Sequence, residues 1–127
     1  MSIEQIIVAN AYTYTPSAYR KSIYVGRKTS FIRAKQLLNV VLEDYSLLGN
    51  PFSVETFGRE LSIEQYKEWL DTSMLLCNAE SKLVNNLVWR VKRGEFISLI
   101  CWCAPKACHA GVIKELIMSM VKRGSAR

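Results

Sequence analysis

Three cysteines and the chain's one histidine fall within Cys101-Trp102-Cys103-Ala104-Pro105-Lys106-Ala107-Cys108-His109. In an extended segment Cys101 and Cys103 project to one side and Trp102 to the other. Pro105 then ends the strand and stiffens the loop. Cys108 and His109 fall in the first turn of the next helix. There, unpaired backbone N–H groups and the positive end of the helix dipole stabilise a thiolate or a bound phosphate.

Three chemistries fit these residues. Cys101, Cys103, Cys108 and His109 make up the ligand set of a structural Cys3His zinc site, although the spacing requires adjacent Cys and His residues to turn toward one ion. Alternatively Cys108 is a nucleophile, with His109 or a distant carboxylate assisting, and these two are then the catalytic pair. In the third reading Cys101 and Cys103 are small buried residues, while Cys108 and His109 merely start a helix. Without metal, the helix start and Lys106 lower the Cys108 thiol below its usual value of about 8.5, and burial under Trp102 opposes them.

A second constellation is Tyr24-Val25-Gly26-Arg27 with Leu48-Gly49-Asn50-Pro51-Phe52. Gly26 and Gly49 permit tight turns, Asn50 can hydrogen-bond a loop or a ligand, and Arg27 offers a two-pronged grip on phosphate or carboxylate. Arg27, Asn50 and Lys106 are the candidate ligand-binding residues. Turn-rich segments of α/β folds collect at one edge of the sheet, so the Gly-Asn-Pro-Phe and cysteine segments are expected to share one cleft.

Taken in order, these motifs and the helix carrying Tyr66 and Trp69 resemble an uncharacterised family of small phage and bacterial proteins. Its final motif reads Cys-Trp-Cys-x-Pro-x-x-Cys-His-Gly, and the resemblance runs from Tyr24 to Met120. It implies a phage or mobile-element setting and supplies no mechanism. Two departures stand out: Ala110 replaces the family's Gly, and the helical segment across residues 28–48 stands where the family has a short loop. The first predicts a restricted backbone approach to a ligand. The second predicts an added partner surface.

The elements that must position these residues follow from periodicity. Gln5 to Asn10 and Ser22 to Val25 read as buried strands, and Phe96 to Ile100 as a central strand entering the cysteine loop. The spacing of Ala34, Leu37, Leu38, Val41 and Tyr45 predicts a helix over 31–45 with Ser30 as N-cap. Ser62-Ile63-Glu64-Gln65 reads as a capping box opening a helix to Thr72; further helices are predicted over 80–92 and from Val112 to Gly124. The sum is a single α/β domain over residues 1–127: a small three-layer sheet with helices on both faces and a C-terminal strand, cysteine loop and helix.

The chain has 127 residues, half of them hydrophobic, enough for a core without disulfides or metal. No secretory signal or membrane-spanning run is evident, so the cysteines are expected to be reduced thiols in the cytoplasm, the host's if the chain is phage-encoded. The net charge is +6, and Arg20, Lys21, Arg27, Lys28, Arg33 and Lys35 occur with no acid between Glu4 and Glu43. Arg90, Lys92, Arg93, Lys122, Arg123 and Arg127 form later basic groups. That asymmetry points to an anionic partner, a nucleotide or nucleic acid, and equally to a solvated surface. The expected function is binding, with or without processing, of a nucleotide or nucleic-acid phosphate at the Cys/His loop. The competing expectation is a non-enzymatic host-takeover or counter-defence protein that binds a host protein or DNA and uses the Cys/His cluster structurally, with or without zinc.

Overall fold

A computed structural model describes residues 4–104 and 106–124. Pro105, read above as the strand terminator, and Arg127 of the basic groups lie outside the described residues. The elements are β1 (Ile6–Asn10), β2 (Arg20–Tyr24), α1 (Phe31–Leu38), β3 (Leu42–Asp44), α2 (Val54–Phe57), α3 (Arg59–Leu76), α4 (Ala79–Lys92), β4 (Phe96–Cys101) and α5 (His109–Arg123). Short 3-10 turns at Lys28–Ser30 and Ser46–Leu48 precede α1 and follow β3.

The four strands form one parallel sheet in the order β1-β4-β2-β3. Period-two alternation divides their side chains between two cores. Ile6, Ile23, Ile97, Leu99 and Cys101 face a large core shared with Tyr66, Leu70, Leu87, Val88, Ile113 and Ile117 of α3, α4 and α5. Tyr24 and Ile100 face the other side, where Ala34 and Leu38 of α1 cover them with Leu42 and Trp102. The fold is therefore mixed α/β, with a parallel sheet covered on both faces.

That arrangement positions a site. After β2 the chain passes to the α1 face, and after the neighbouring β4 it passes to the α5 face. Adjacent parallel strands whose exits go to opposite faces leave a crevice between their carboxyl ends, the usual place for a ligand in such sheets.

The segment 31–45 departs from the single helix its spacing predicts. α1 stops at Leu38, because Asn39 adopts a left-handed conformation (φ 50°), and Leu42–Asp44 pairs with β2 as an edge strand. Of the apolar positions in the predicted stripe, Ala34, Leu38 and Tyr45 are buried, whereas Leu37 and Val41 are exposed, because the chain leaves the helix and enters a strand. Ser30 stands before α1 without making a side-chain cap hydrogen bond. Residues 28–48 contribute Ala34, Leu38 and Leu42 to the second core and β3 to the sheet.

Two helix starts also differ. α3 begins at Arg59, and the expected cap Ser62 lies inside it, fully buried. α4 begins one residue earlier than predicted and is capped by Asn78, whose side chain accepts from the backbone N–H of Ser81 at 3.2 Å. On the opposite end, Arg90 grips Glu43 through two hydrogen bonds of 2.8 Å and Glu95 through one of 2.9 Å, which fastens α4 to the short strand β3.

Candidate functional site

Between the carboxyl ends of β2 and β4 lies a cleft of about 300 Å³. Gly26, Arg27 and Ser30 line it from the chain leaving β2, and Trp102, Cys103, Ala107, Cys108 and His109 from the chain leaving β4. Asn50, Phe52, Ser53, Glu55 and Ser62 close the third side. The two sequence constellations thus meet in one cleft.

Glycine makes this meeting possible. A Cβ on Gly49 would lie 2.9 Å from the carbonyl oxygens of Gly26 and Ser46, so the Gly-Asn-Pro-Phe turn can pass this close to the loop after β2 only without a side chain. Asn50 then fixes the turn. Its Nδ2 donates to Ser62 Oγ at 2.9 Å, its Oδ1 accepts from the Phe52 backbone N–H at 2.8 Å, and Ser62 Oγ donates to the Phe52 carbonyl at 2.6 Å. Ser62, expected as a helix cap, is instead the anchor that ties this turn to α3. The Arg27 guanidinium is exposed, with Nε 3.3 Å from the Asn50 carbonyl.

Both walls are joined by the Tyr24 hydroxyl. It donates to the Arg27 carbonyl at 2.6 Å and accepts from Trp102 Nε1 at 3.0 Å. Burial pushes the Tyr24 phenol up, so it stays protonated and keeps donating.

The cysteine loop spans the end of β4 and the start of α5, and Asn10 holds it by donating Nδ2 to the carbonyls of Trp102 and Ala104, each at 3.0 Å. Cys101 is sealed in the large core, as the alternation predicts, and Cys108 is the N-cap residue of α5 without a side-chain cap hydrogen bond. The Cys108 thiol donates to Cys101 Sγ across 3.5 Å, and Cys103 lies beside Cys108.

This contact reverses the acidity expected of Cys108. The bond donated to Cys101 pushes the Cys108 thiol up, against the helix start that was expected to lower it. The same bond, aided by the backbone N–H groups of Ala104 and Cys103 and opposed by burial, lowers Cys101 to about 7. Cys103 is pushed up, first by its bond to Cys108 and then by burial, with the Arg59 guanidinium opposing both.

His109 lines the cleft but is otherwise buried. Its Nε2 lies 2.6 Å from the Val25 carbonyl and its ring meets Tyr66 edge-on at 5.1 Å. Burial is the largest cause that lowers its pKa, so the ring is neutral with the proton on Nε2 toward Val25. That nitrogen is engaged with the backbone and is not offered to Cys108 as a base. Among the described residues no group of three or more His, Cys, Asp or Glu side chains is arranged to hold a metal ion, so the cysteines and His109 are not brought together as a ligand set.

Lys106 is exposed and stands outside the cleft lining. Ala110 is fully buried in the large core and takes no part in the lining, so it does not narrow the approach to a ligand. A residue that sequence reasoning missed is Arg59, whose Nη1 donates to the Ala107 carbonyl at 2.8 Å and whose charge lies beside Cys103. Its one sequence signal is being the first cation after the Gly-Asn-Pro-Phe turn.

No helix among the described residues is long and apolar enough to cross a membrane. No curated protein and no solved structure matches the chain. Residues 9–119 match the family described as a domain of unknown function, DUF4326. Matched over most of its length, the chain belongs to the DUF4326 family.

Proposed function

We propose that this chain binds a nucleotide, or the phosphate-bearing end of a nucleic acid, in the cleft between β2 and β4, as a phage-type protein working in the host cytoplasm. The observation that carries the reading is the convergence of Arg27, the start of α5 and the aromatic edges of Phe52 and Trp102 on one volume of about 300 Å³. Small-molecule sites run from ~300 to 1,000 Å³, so the cleft suits a single nucleotide and is too small for a duplex. Arg27 holds anionic oxygens and the positive end of the α5 dipole favours them, while Glu55 and the hydroxyls of Ser30 and Ser53 offer partners to a sugar or a base amine. The raised pKa of Cys108 and the engagement of His109 Nε2 with the Val25 carbonyl favour binding over a Cys/His-catalysed step.

Titration calorimetry with nucleoside monophosphates and the matching nucleosides tests this. Binding of the phosphorylated forms that weakens about tenfold or more in Arg27→Ala supports it, on the order of 1.4 kcal/mol for a charge-assisted contact. Equal affinity for nucleosides, or no binding of either, rejects it.

One observation favours a second reading, a host-protein surface: Ile32, Leu37 and Val41 are 62%, 47% and 86% exposed on the segment 28–48. Val41→Glu together with Ile32→Glu would then abolish the protein's effect in the host and leave nucleotide binding intact.

A further inference from the structure

Two thiols in contact, Cys108 facing a cleft and Cys101 sealed behind it, form an arrangement that ligand binding does not require. We propose that Cys101 and Cys108 form a reversible disulfide by exchange with a small-molecule disulfide admitted through the cleft, so that the cysteine loop is a redox modification site.

The geometry supports this in three ways. The two sulfurs are 3.5 Å apart, and a disulfide requires about 2.05 Å, leaving a closure of about 1.5 Å. The residues they belong to can supply that movement, because Cys108 is the N-cap of α5, at the end of the loop, and is not within a strand or helix. Access is ordered as well: Cys108 lines the cleft, whereas Cys101 is fully buried at the end of β4 and cannot meet an outside reagent first. Cys103 also lines the cleft, with the Arg59 guanidinium beside it, but only Cys108 donates to the buried Cys101 sulfur.

The exchange balances in two displacements. The Cys108 thiolate attacks one sulfur of the incoming disulfide, forming a mixed disulfide and releasing the first small thiolate. The Cys101 thiolate then attacks Cys108 Sγ, forming the internal disulfide and expelling the second. Two protein thiols are oxidised and one external disulfide is reduced to two thiols, which carry away the two protons. Excess small thiol reverses both steps. Oxidation draws Cys108 Sγ from the cleft wall toward β4 and removes its S–H donor, so the lining changes with redox state.

Oxidised glutathione added to the full chain carrying Cys77→Ser, which removes the exposed thiol, tests the inference by intact mass and non-reducing peptide mapping. Cleavage after Lys106 separates Cys108 from Cys101 and Cys103. The expected product has lost two hydrogens, with the two peptides joined, and it persists when Cys103→Ser is added. Adding Cys101→Ser instead should stall the reaction at glutathione held on Cys108. A joined product that needs Cys103 and survives loss of Cys101, glutathione that stays on Cys108 with Cys101 present, reaction only in denaturant, or tightly held stoichiometric zinc masking the thiols would each overturn it. Should Cys101→Ser fail to fold, the Cys103→Ser background still decides the pairing.

Discussion

The side-chain amide of Asn50 and the hydroxyl of Ser62 are joined at 2.9 Å across the base of the cleft, which makes a buried helix residue the foundation of a surface turn. Asn50→Ala removes that donor and the acceptor for the Phe52 N–H, leaving partly buried polar groups unpaired. The expected loss of stability is about 1–3 kcal/mol, read as a lower urea midpoint with an unchanged slope. Asn50→Asp keeps the acceptor and should fall between the two.

Gly49 and Gly111 should respond oppositely to an added methyl. Gly49→Ala places a methyl 2.9 Å from two backbone carbonyl oxygens that cannot swing away, and should cost about 1–3 kcal/mol. Gly111→Ala, inside α5 with nothing within 4 Å of the new Cβ, should stabilise by about 0.5–1 kcal/mol. Thermal melts of the two variants in parallel would show shifts of opposite sign.

The single histidine gives the molecule a defined acid response. His109 has its pKa lowered in the fold, mainly by burial, so the unfolded chain takes up a proton near its ordinary value of about 6.5 while the folded chain does not. Stability is therefore full above that value and declines as pH falls below it toward the folded pKa. Urea unfolding between pH 7.5 and 5 should show this decline, and His109→Gln should flatten it within that window. An unchanged slope in the variant would mean that other groups carry the response.

Arg90 joins Glu43 to Glu95, and its side chain is 11% exposed while theirs are 36% and 24%. Arg90→Met leaves two carboxylates facing one another without a partner. Because both acids retain some water, the expected cost is on the order of 2 kcal/mol, below that of a fully buried pair. Hydrogen exchange should show early opening of β3, the strand that Arg90 fastens.

Thiol accessibility gives a fourth kind of measurement. Iodoacetamide should label exposed Cys77 first, Cys103 more slowly, Cys108 later and Cys101 only on unfolding. Faster labelling of Cys108 than of Cys77 would contradict the raised pKa assigned to it.

Much of this site could be read from residue order alone, because glycine-rich turns and the cysteine loop both follow strands, and parallel α/β sheets collect such exits at one edge. Gly26, Gly49, Asn50 and Cys108 were identifiable for that reason. β3 was not, since Leu38, Val41 and Tyr45 satisfy helical spacing and the break at Asn39 is settled by pairing with β2. The relative acidity of the cysteines was also hidden. It depends on which sulfur donates to which across 3.5 Å, and spacing along the chain carries no such information. Ser62 looked like a cap because Ser-x-x-Gln fits one, and only the folded turn shows what its hydroxyl holds.

The phenol oxygen of Tyr24 holds one wall of the cleft through Arg27 and the other through Trp102. A single atom thus acts as a spacer that sets the gauge of the slot before any ligand arrives. Side chains along the slot can be exchanged, and the chemistry of its occupant altered, without resetting its width. Selection by size and selection by chemical character are thereby separated in this fold: the first is anchored beneath the sheet edge, and the second is free to drift along its rim.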